Sequence, residues 1–215
     1  MRDFPVFTTE HGAASLVLRE IPYKSIAYIT LQDTLQPEAL LQECVDFCRV
    51  AGARKIYATG HKILEQYPLH TAMWKMRRLR CNMPVIDAVP IPITEQNVEF
   101  WRSLHNQKMA DIPNAATMTV ADSKQLLTRG AGYFIYREKE LLGIGVAAGD
   151  TVESVIACKR GAGADVLLAL CTCLTSDHIY LGVASANMPA RKLYDRLGFI
   201  KTEELSRWYT VENNP

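Results

Sequence analysis

The sequence predicts an α/β protein built on a mixed, mostly antiparallel central sheet flanked by helices, with a smaller α/β unit at its N-terminal end. Three observations predict it. Residues 132–159 hold three β-prone runs separated by short polar turns, which is how an antiparallel meander reads. From Gly161 onward the order changes to loop, helix, strand, helix, strand, and such connections add parallel pairing to the meander. The first 58 residues run hairpin, helix, strand before the pattern restarts further along, a faint internal repeat in order though not in residues.

Taken along the chain, 13–19 and 25–32 are short β-prone runs joined through Pro22. A helix follows with Pro37 in its first turn, Leu40, Leu41, Cys44, Val45, Phe47 and Cys48 at helical spacing, and Gly52 as its stop. Residues 54–58 read as a buried strand and 62–78 as a helix interrupted near Pro68, which makes Lys75, Arg77, Arg78 and Arg80 the solvated end of that helix. Pro84, Pro90 and Pro92 force an extended stretch over 83–92, so the boundary between a unit 1–82 and a unit 83–215 falls near residue 82. Glu95 to Met109 is amphipathic, and a shorter helix spans about 121–128. The meander comprises 132–137, 141–148 and 152–159, and after it come a helix at 165–175, a strand at 178–185, a helix at 187–197 and a last strand ending near Val211.

Composition narrows the function. Hydrophobic residues make up 48% of the 215 and charged residues 22%, the profile of a globular protein with a sizeable core. A net charge of +1 and a pI of about 7.6 supply no field to draw the chain onto nucleic acid or an anionic membrane, so a small-molecule partner is expected. No apolar run is long enough to span a bilayer, and Met1-Arg2-Asp3-Phe4-Pro5 lacks the apolar region of a secretory signal; a cytoplasmic location is expected. The six cysteines lie mostly in apolar segments without zinc spacing, and the five histidines are scattered, so neither disulfides nor a metal centre is expected.

The most informative segment is Asn187-Met188-Pro189-Ala190-Arg191-Lys192-Leu193-Tyr194-Asp195-Arg196-Leu197-Gly198-Phe199. Asn187 can cap a helix with Pro189 in its first turn and Gly198 past its end, and Asn187 and Tyr194 then project from one side. Read bare, this is a capped helix with a packed tyrosine. Its pattern, however, resembles the signature Asn-x-x-Ala-x-x-Leu-Tyr-x-x-Leu-Gly-Phe of the C-terminal helix of the GNAT acetyltransferases, with Asn187, Ala190, Leu193, Tyr194, Leu197, Gly198 and Phe199 in register. The resemblance covers about residues 85–211 and rests mainly on roughly the last fifty of them. It implies the acyl-CoA N-acyltransferase fold, acetyl-CoA as cofactor, a contact of Asn187 with the cofactor arm or a water, and Tyr194 as proton donor to the departing thiolate. A phenol holds its proton at neutral pH and suits that task.

A second segment, Lys159-Arg160-Gly161-Ala162-Gly163-Ala164-Asp165, lies between a β-prone run and an apolar helix. Small residues let successive N–H groups converge on a phosphate, and a helix N-terminus favours negative charge. It lacks the Lys-Ser/Thr of a P-loop and the third glycine of a dinucleotide fingerprint. It is similar to the GNAT pyrophosphate loop, with Arg160 and Gly163 in place, which implies cofactor contacts from Arg160, Gly161, Ala162, Gly163, Ala164 and Asp165. Asp165 departs from the pattern, standing where that loop has Gly or Ala. A carboxylate there would sit close to an anionic cofactor unless it turns away as a first-turn helix residue, with Lys159 and Arg160 offsetting its charge. The resemblance further implies that the strand before the loop splays from its neighbour and offers amides at Ile156, Ala157 and Cys158 to the pantetheine and the thioester. Glu153, on that strand, is a candidate general base or an exposed strand residue.

The expected reaction is acetyl transfer from acetyl-CoA to a primary amine of a small molecule or peptide; the alternatives are a non-catalytic acyl-CoA-binding protein and a nucleotide-binding regulatory domain. Tyr133 and Trp208 are candidates to shape an acceptor pocket. The N-terminal half reaches its helix through Asp33-Thr34-Leu35-Gln36-Pro37, without a glycine loop, so it reads as a degenerate GNAT-like unit that should not bind CoA by this route. The sequence does not choose between a monomer and a homodimer.

Overall fold

The computed structural model describes residues 5–81 and 83–211. The chain divides into two compact units, one of residues up to Met73 together with those from Glu204 on, the other Trp74–Glu203. The division differs from the boundary expected near residue 82. Two 11-residue strands, β5 (Leu69–Leu79) and β11 (Ile200–Thr210), each begin in one unit and end in the other, and no break in composition marks the crossing.

In the first unit, β1 (Val6–Thr9) and β2 (Gly12–Val17) form a hairpin, and the single turn α1 (Ile21–Lys24) leads into β3 (Ile26–Thr34), antiparallel to β2. Helix α2 (Pro37–Val50) crosses back to β4 (Lys55–Thr59), which is parallel to β3, and the end of β11 pairs antiparallel with β4. Alternation sends Ala14, Leu16, Ala27, Ile29, Leu31, Ile56 and Ala58 to one face, where Leu40, Leu41, Cys44, Val45 and Cys48 of α2 bury against them. Burial pushes the thiols of Cys44 and Cys48 up to about 12 and about 11.

Residues 62–78 correct the helical expectation. Only Lys62–Gln66 coils, as a 3₁₀ turn, and Leu69–Leu79 is strand. Met73, Met76, Lys75 and Arg77 carry good helix propensity, but pairing within a sheet overrides it. The basic cluster therefore sits on and just past a strand. Arg78 has a specific partner there, donating from Nη1 to the carbonyl of Leu197 at 2.5 Å.

The second unit continues through β6 (Val89–Pro92), α3 (Val98–Met109), α4 (Val120–Arg129) and the meander β7 (Gly132–Arg137), β8 (Glu140–Ala148) and β9 (Thr151–Ala157). Then come α5 (Gly163–Thr172), β10 (His178–Ala184) and α6 (Met188–Arg196). Strands β10, β9, β8, β7 and β6 are neighbours in that order. Helix α4 starts at a full capping box between Thr119 and Asp122. Helix α5 is apolar on nearly every side; Val166, Leu167, Ala169, Leu170 and Cys171 are all fully buried. It lies so close to β8 that a Cβ at Gly143 would come within 2.6 Å of Val166 and one at Gly145 within 2.3 Å of Leu170. A separate core under α3 and α4 gathers Trp101, Phe134, Ile144 and Ile156.

Candidate active site

Strand β9 pairs with β8 along its length, from Thr151 to Ala157. On its other edge it pairs with β10 only at Thr151 and Val152, opposite Tyr180 and Leu181. From Glu153 onward β9 has no register partner on β10 among the described residues, so the two parallel strands part and one edge of β9 lies open. This is the splay the resemblance implies. The amides expected to use it differ in availability: Cys158 N–H donates to the carbonyl of Leu142 at 2.9 Å, and alternation along the strand turns Ile156, opposite Ile144, to the same β8 side, which leaves Ala157 facing the open edge. Burial raises the Cys158 thiol, with Lys108 acting in the opposite direction.

At the end of β9 the chain turns through Gly161, whose φ of +88° is costly for any residue with a Cβ, into the N-terminus of α5. Ala162 is the cap and offers no side-chain oxygen. The first bond of the helix runs from Val166 N–H to Ala162 O at 3.0 Å, so the amides of Gly163, Ala164 and Asp165 make no backbone hydrogen bond among the described residues. Unclaimed N–H groups at the positive end of a helix are donors of the kind that anions take. Arg160 lies exposed beside them and forms no ion pair among the described residues.

Asp165 is held by an arginine remote in sequence. Its Oδ1 meets Arg137 Nη2 of β7 at 3.1 Å, and Arg137 Nε donates to Asp87 Oδ1 at 2.7 Å. Lys159 is occupied elsewhere, at 2.5 Å from Glu140, so it does not offset Asp165. The Arg137 guanidinium holds the Asp87 carboxyl below its usual range.

Helix α6 is built as its sequence demands. Asn187 Oδ1 accepts the amide of Ala190 at 3.2 Å, and Gly198 ends the helix with a φ of +80°. The cap uses the Asn187 oxygen, and the rest of its side chain is half-buried. Arg191 lies over the Trp74 ring at 4.3 Å and fixes the outer side of the helix. Tyr194 points inward, 7% exposed, with its ring 6.1 Å from that of Phe199. Burial pushes its phenol up to about 12, so it keeps its proton throughout the neutral range.

The two segments singled out in the sequence meet. A Cβ on Gly163 would lie 3.1 Å from Leu193 Cδ2, and Ala162 shares a core cluster with Tyr194, Leu193 and Ala190. Glu153 is placed on β9 as expected, yet both its oxygens face Arg129 at the end of α4, one of them at 3.4 Å from Nη1. The guanidinium thereby occupies both oxygens that a base would present to an amine. Tyr133 lies on β7 with its hydroxyl donating to Gly130 O at 3.1 Å, whereas Trp208 belongs to the other unit, edge-on to Tyr28 at 5.4 Å. The sequence reading missed Arg129, Arg137 and Asp87, whose partners are remote in sequence. It also passed over Gly143 and Gly145, although two glycines inside a strand do signal a close approach.

No protein-family model matches the chain, and no curated protein matches it in sequence. Solved structures match it in fold. A GCN5-related N-acetyltransferase from Sphaerobacter thermophilus superposes with a TM-score of 0.58 at 10% identity, over 94% of this chain and 77% of its own. A tandem GNAT protein from the clavulanic acid biosynthesis pathway gives 0.52 at 12% identity, over 95% and 80%. A protein of unknown function from Staphylococcus epidermidis gives 0.61 at 10% identity, over 99% and 95%. The class is thus defined at the level of architecture: the chain has the GNAT acetyltransferase fold. Among the described residues, no helix is long and apolar enough to cross a membrane.

Proposed function

We propose that the second unit is an N-acetyltransferase that uses acetyl-CoA and a primary amine of a small molecule or peptide, with the first unit as a degenerate partner in a tandem arrangement. The reading rests above all on one observation. The open edge of β9 runs directly into a helix N-terminus with three unclaimed amides, and Tyr194 lies in the core cluster that contains the first residue of that turn, Ala162. Acetyl-CoA supplies the acetyl group as an activated thioester. Gly163, Ala164 and Asp165 offer their amides, and Arg160 its charge, to the diphosphate. The free edge of β9 at Ala157 donates to the thioester oxygen as negative charge develops there. Tyr194 Oη gives its proton to the departing sulfur. Six free thiols, five of them raised by burial, suit a reducing cytoplasm.

The ion pair of Glu153 with Arg129 favours one other reading, an acyl-CoA-binding protein without turnover. Release of free CoA in the presence of a panel of amines separates the two. Release with any amine supports the transferase, and tight CoA binding with no release across the panel supports the binding protein.

A further inference from the structure

We propose that Arg137 is a positioning residue whose task is to draw the Asp165 carboxylate off the N-terminus of α5 and so leave that terminus free for an anionic ligand. The inference rests on the reading of this turn as the diphosphate site. Asp165 is the third residue of α5, where an acidic side chain ordinarily folds back onto the free amides of its own first turn. In that pose it would occupy the donors a phosphate needs and add repulsion between like charges. It is instead held by Arg137 Nη2 at 3.1 Å, from a strand 28 residues earlier in the chain.

The same guanidinium donates through Nε to Asp87 at 2.7 Å, so its plane is fixed from both sides. No other cation takes over. Lys159 is bound to Glu140 at 2.5 Å, and Arg160 forms no ion pair with Asp165 among the described residues. Among the described residues, Arg137 is the cation that holds the carboxylate. An aspartate is thereby tolerated at a position where a small neutral residue would serve without help.

The test is a double-mutant cycle read by calorimetric titration with CoA. R137M should weaken CoA binding on the order of tenfold, as expected for releasing one carboxylate toward a diphosphate. D165N alone should bind as well as the unmodified protein or better, and R137M/D165N should bind as well as D165N. Such a rescue by a second substitution is not expected of an arginine that merely supports the fold. R137K, which keeps the charge but cannot span both carboxylates, should lose about threefold, and it serves if R137M fails to fold. Equal weakening by R137M in the presence and absence of Asp165 overturns the inference while leaving the diphosphate site in place. Failure of the unmodified protein to bind CoA overturns both.

Discussion

The two units share an order of elements and differ at one junction. In each, a strand pairs antiparallel with its predecessor, a helix crosses over, and a second strand returns parallel: β2, β3, α2, β4 in the first unit and β8, β9, α5, β10 in the second. A short coil or helix and an 11-residue strand then follow in both. Yet β3 and β4 pair at five successive positions, from Ile26 with Lys55 to Thr30 with Thr59, where β9 and β10 manage two. Beyond them Gly60 presses on the carbonyl of Leu31, where a Cβ would stand 2.2 Å away. The approach to α2 is closed as well. The carbonyl of His11 accepts the amides of Leu35 at 2.9 Å and Gln36 at 3.3 Å, and Pro37 removes another donor. The difference teaches that the fold alone does not make an anion site. The amides of Glu38 and Ala39 at the start of α2 are unclaimed too, but among the described residues only the second unit joins such amides to an unzipped strand.

The comparison breaks most easily at its centre. Gly163→Glu should abolish CoA binding through clash with Leu193 and negative charge at the amides, with a loss above about a hundredfold, whereas Gln36→Glu at the cap of α2 in the first unit should leave affinity unchanged. Titration should find one CoA per chain; two would show the first unit to be open after all. Next, Gly60→Ala should cost about 3 kcal/mol in denaturant unfolding, because its φ of +102° and the Leu31 oxygen both resist a side chain. CoA affinity of the folded fraction should not follow, and a matching loss would contradict the separation of roles.

Tyr194→Phe should lower turnover more than tenfold, about 1.4 kcal/mol or more in the barrier, with CoA affinity within about twofold. Unchanged turnover would remove Tyr194 from the chemistry. The smallest effect concerns pH. Thiols at Cys44, Cys48 and Cys171 are pushed up by burial from an ordinary value of about 9 to between about 11 and about 12. The folded state holds these protons more tightly, so their contribution is whole well below pH 9, begins to be lost as the unfolded thiols ionise near pH 9, and is gone once pH passes the folded values. Unfolding free energy should therefore fall by about 1 kcal/mol between pH 8 and pH 9. Since two of the three lie in the first unit, Cys44→Ala with Cys48→Ala should remove most of that slope, and a slope that persists would assign it to the second unit.

Much of this was legible in the sequence, for reasons that can be named. Helix α6 carries its own start and stop in Asn187, Pro189 and Gly198, and the meander carries its turns, so local chemistry specified both. Strand β5 was read as helix because Leu69, Met73, Met76, Lys75 and Arg77 prefer that state locally and are overruled by partners remote in sequence. The unit boundary was hidden for a related reason: a strand that serves two units has no linker. At the site, the glycine turn and Tyr194 were visible as patterns. The pairings of Arg137 with Asp165 and of Arg129 with Glu153 were not, since they join positions 28 and 24 residues apart whose charges look like any others on a solvated surface.

The passage of β5 and β11 between the units also bears on how the chain is made. The first unit needs the end of β11 beside β4, where Tyr209 pairs with Ala58, so its earliest strands must wait until β11 has been synthesised. Halves cut from this chain at residue 82 should not refold alone, and a ribosome-bound nascent chain should keep these strands sensitive to protease until β11 has emerged. A late stitch closes what the first strands began, and interruption before β11 should be punished by aggregation more than in a chain whose domains follow one another like beads.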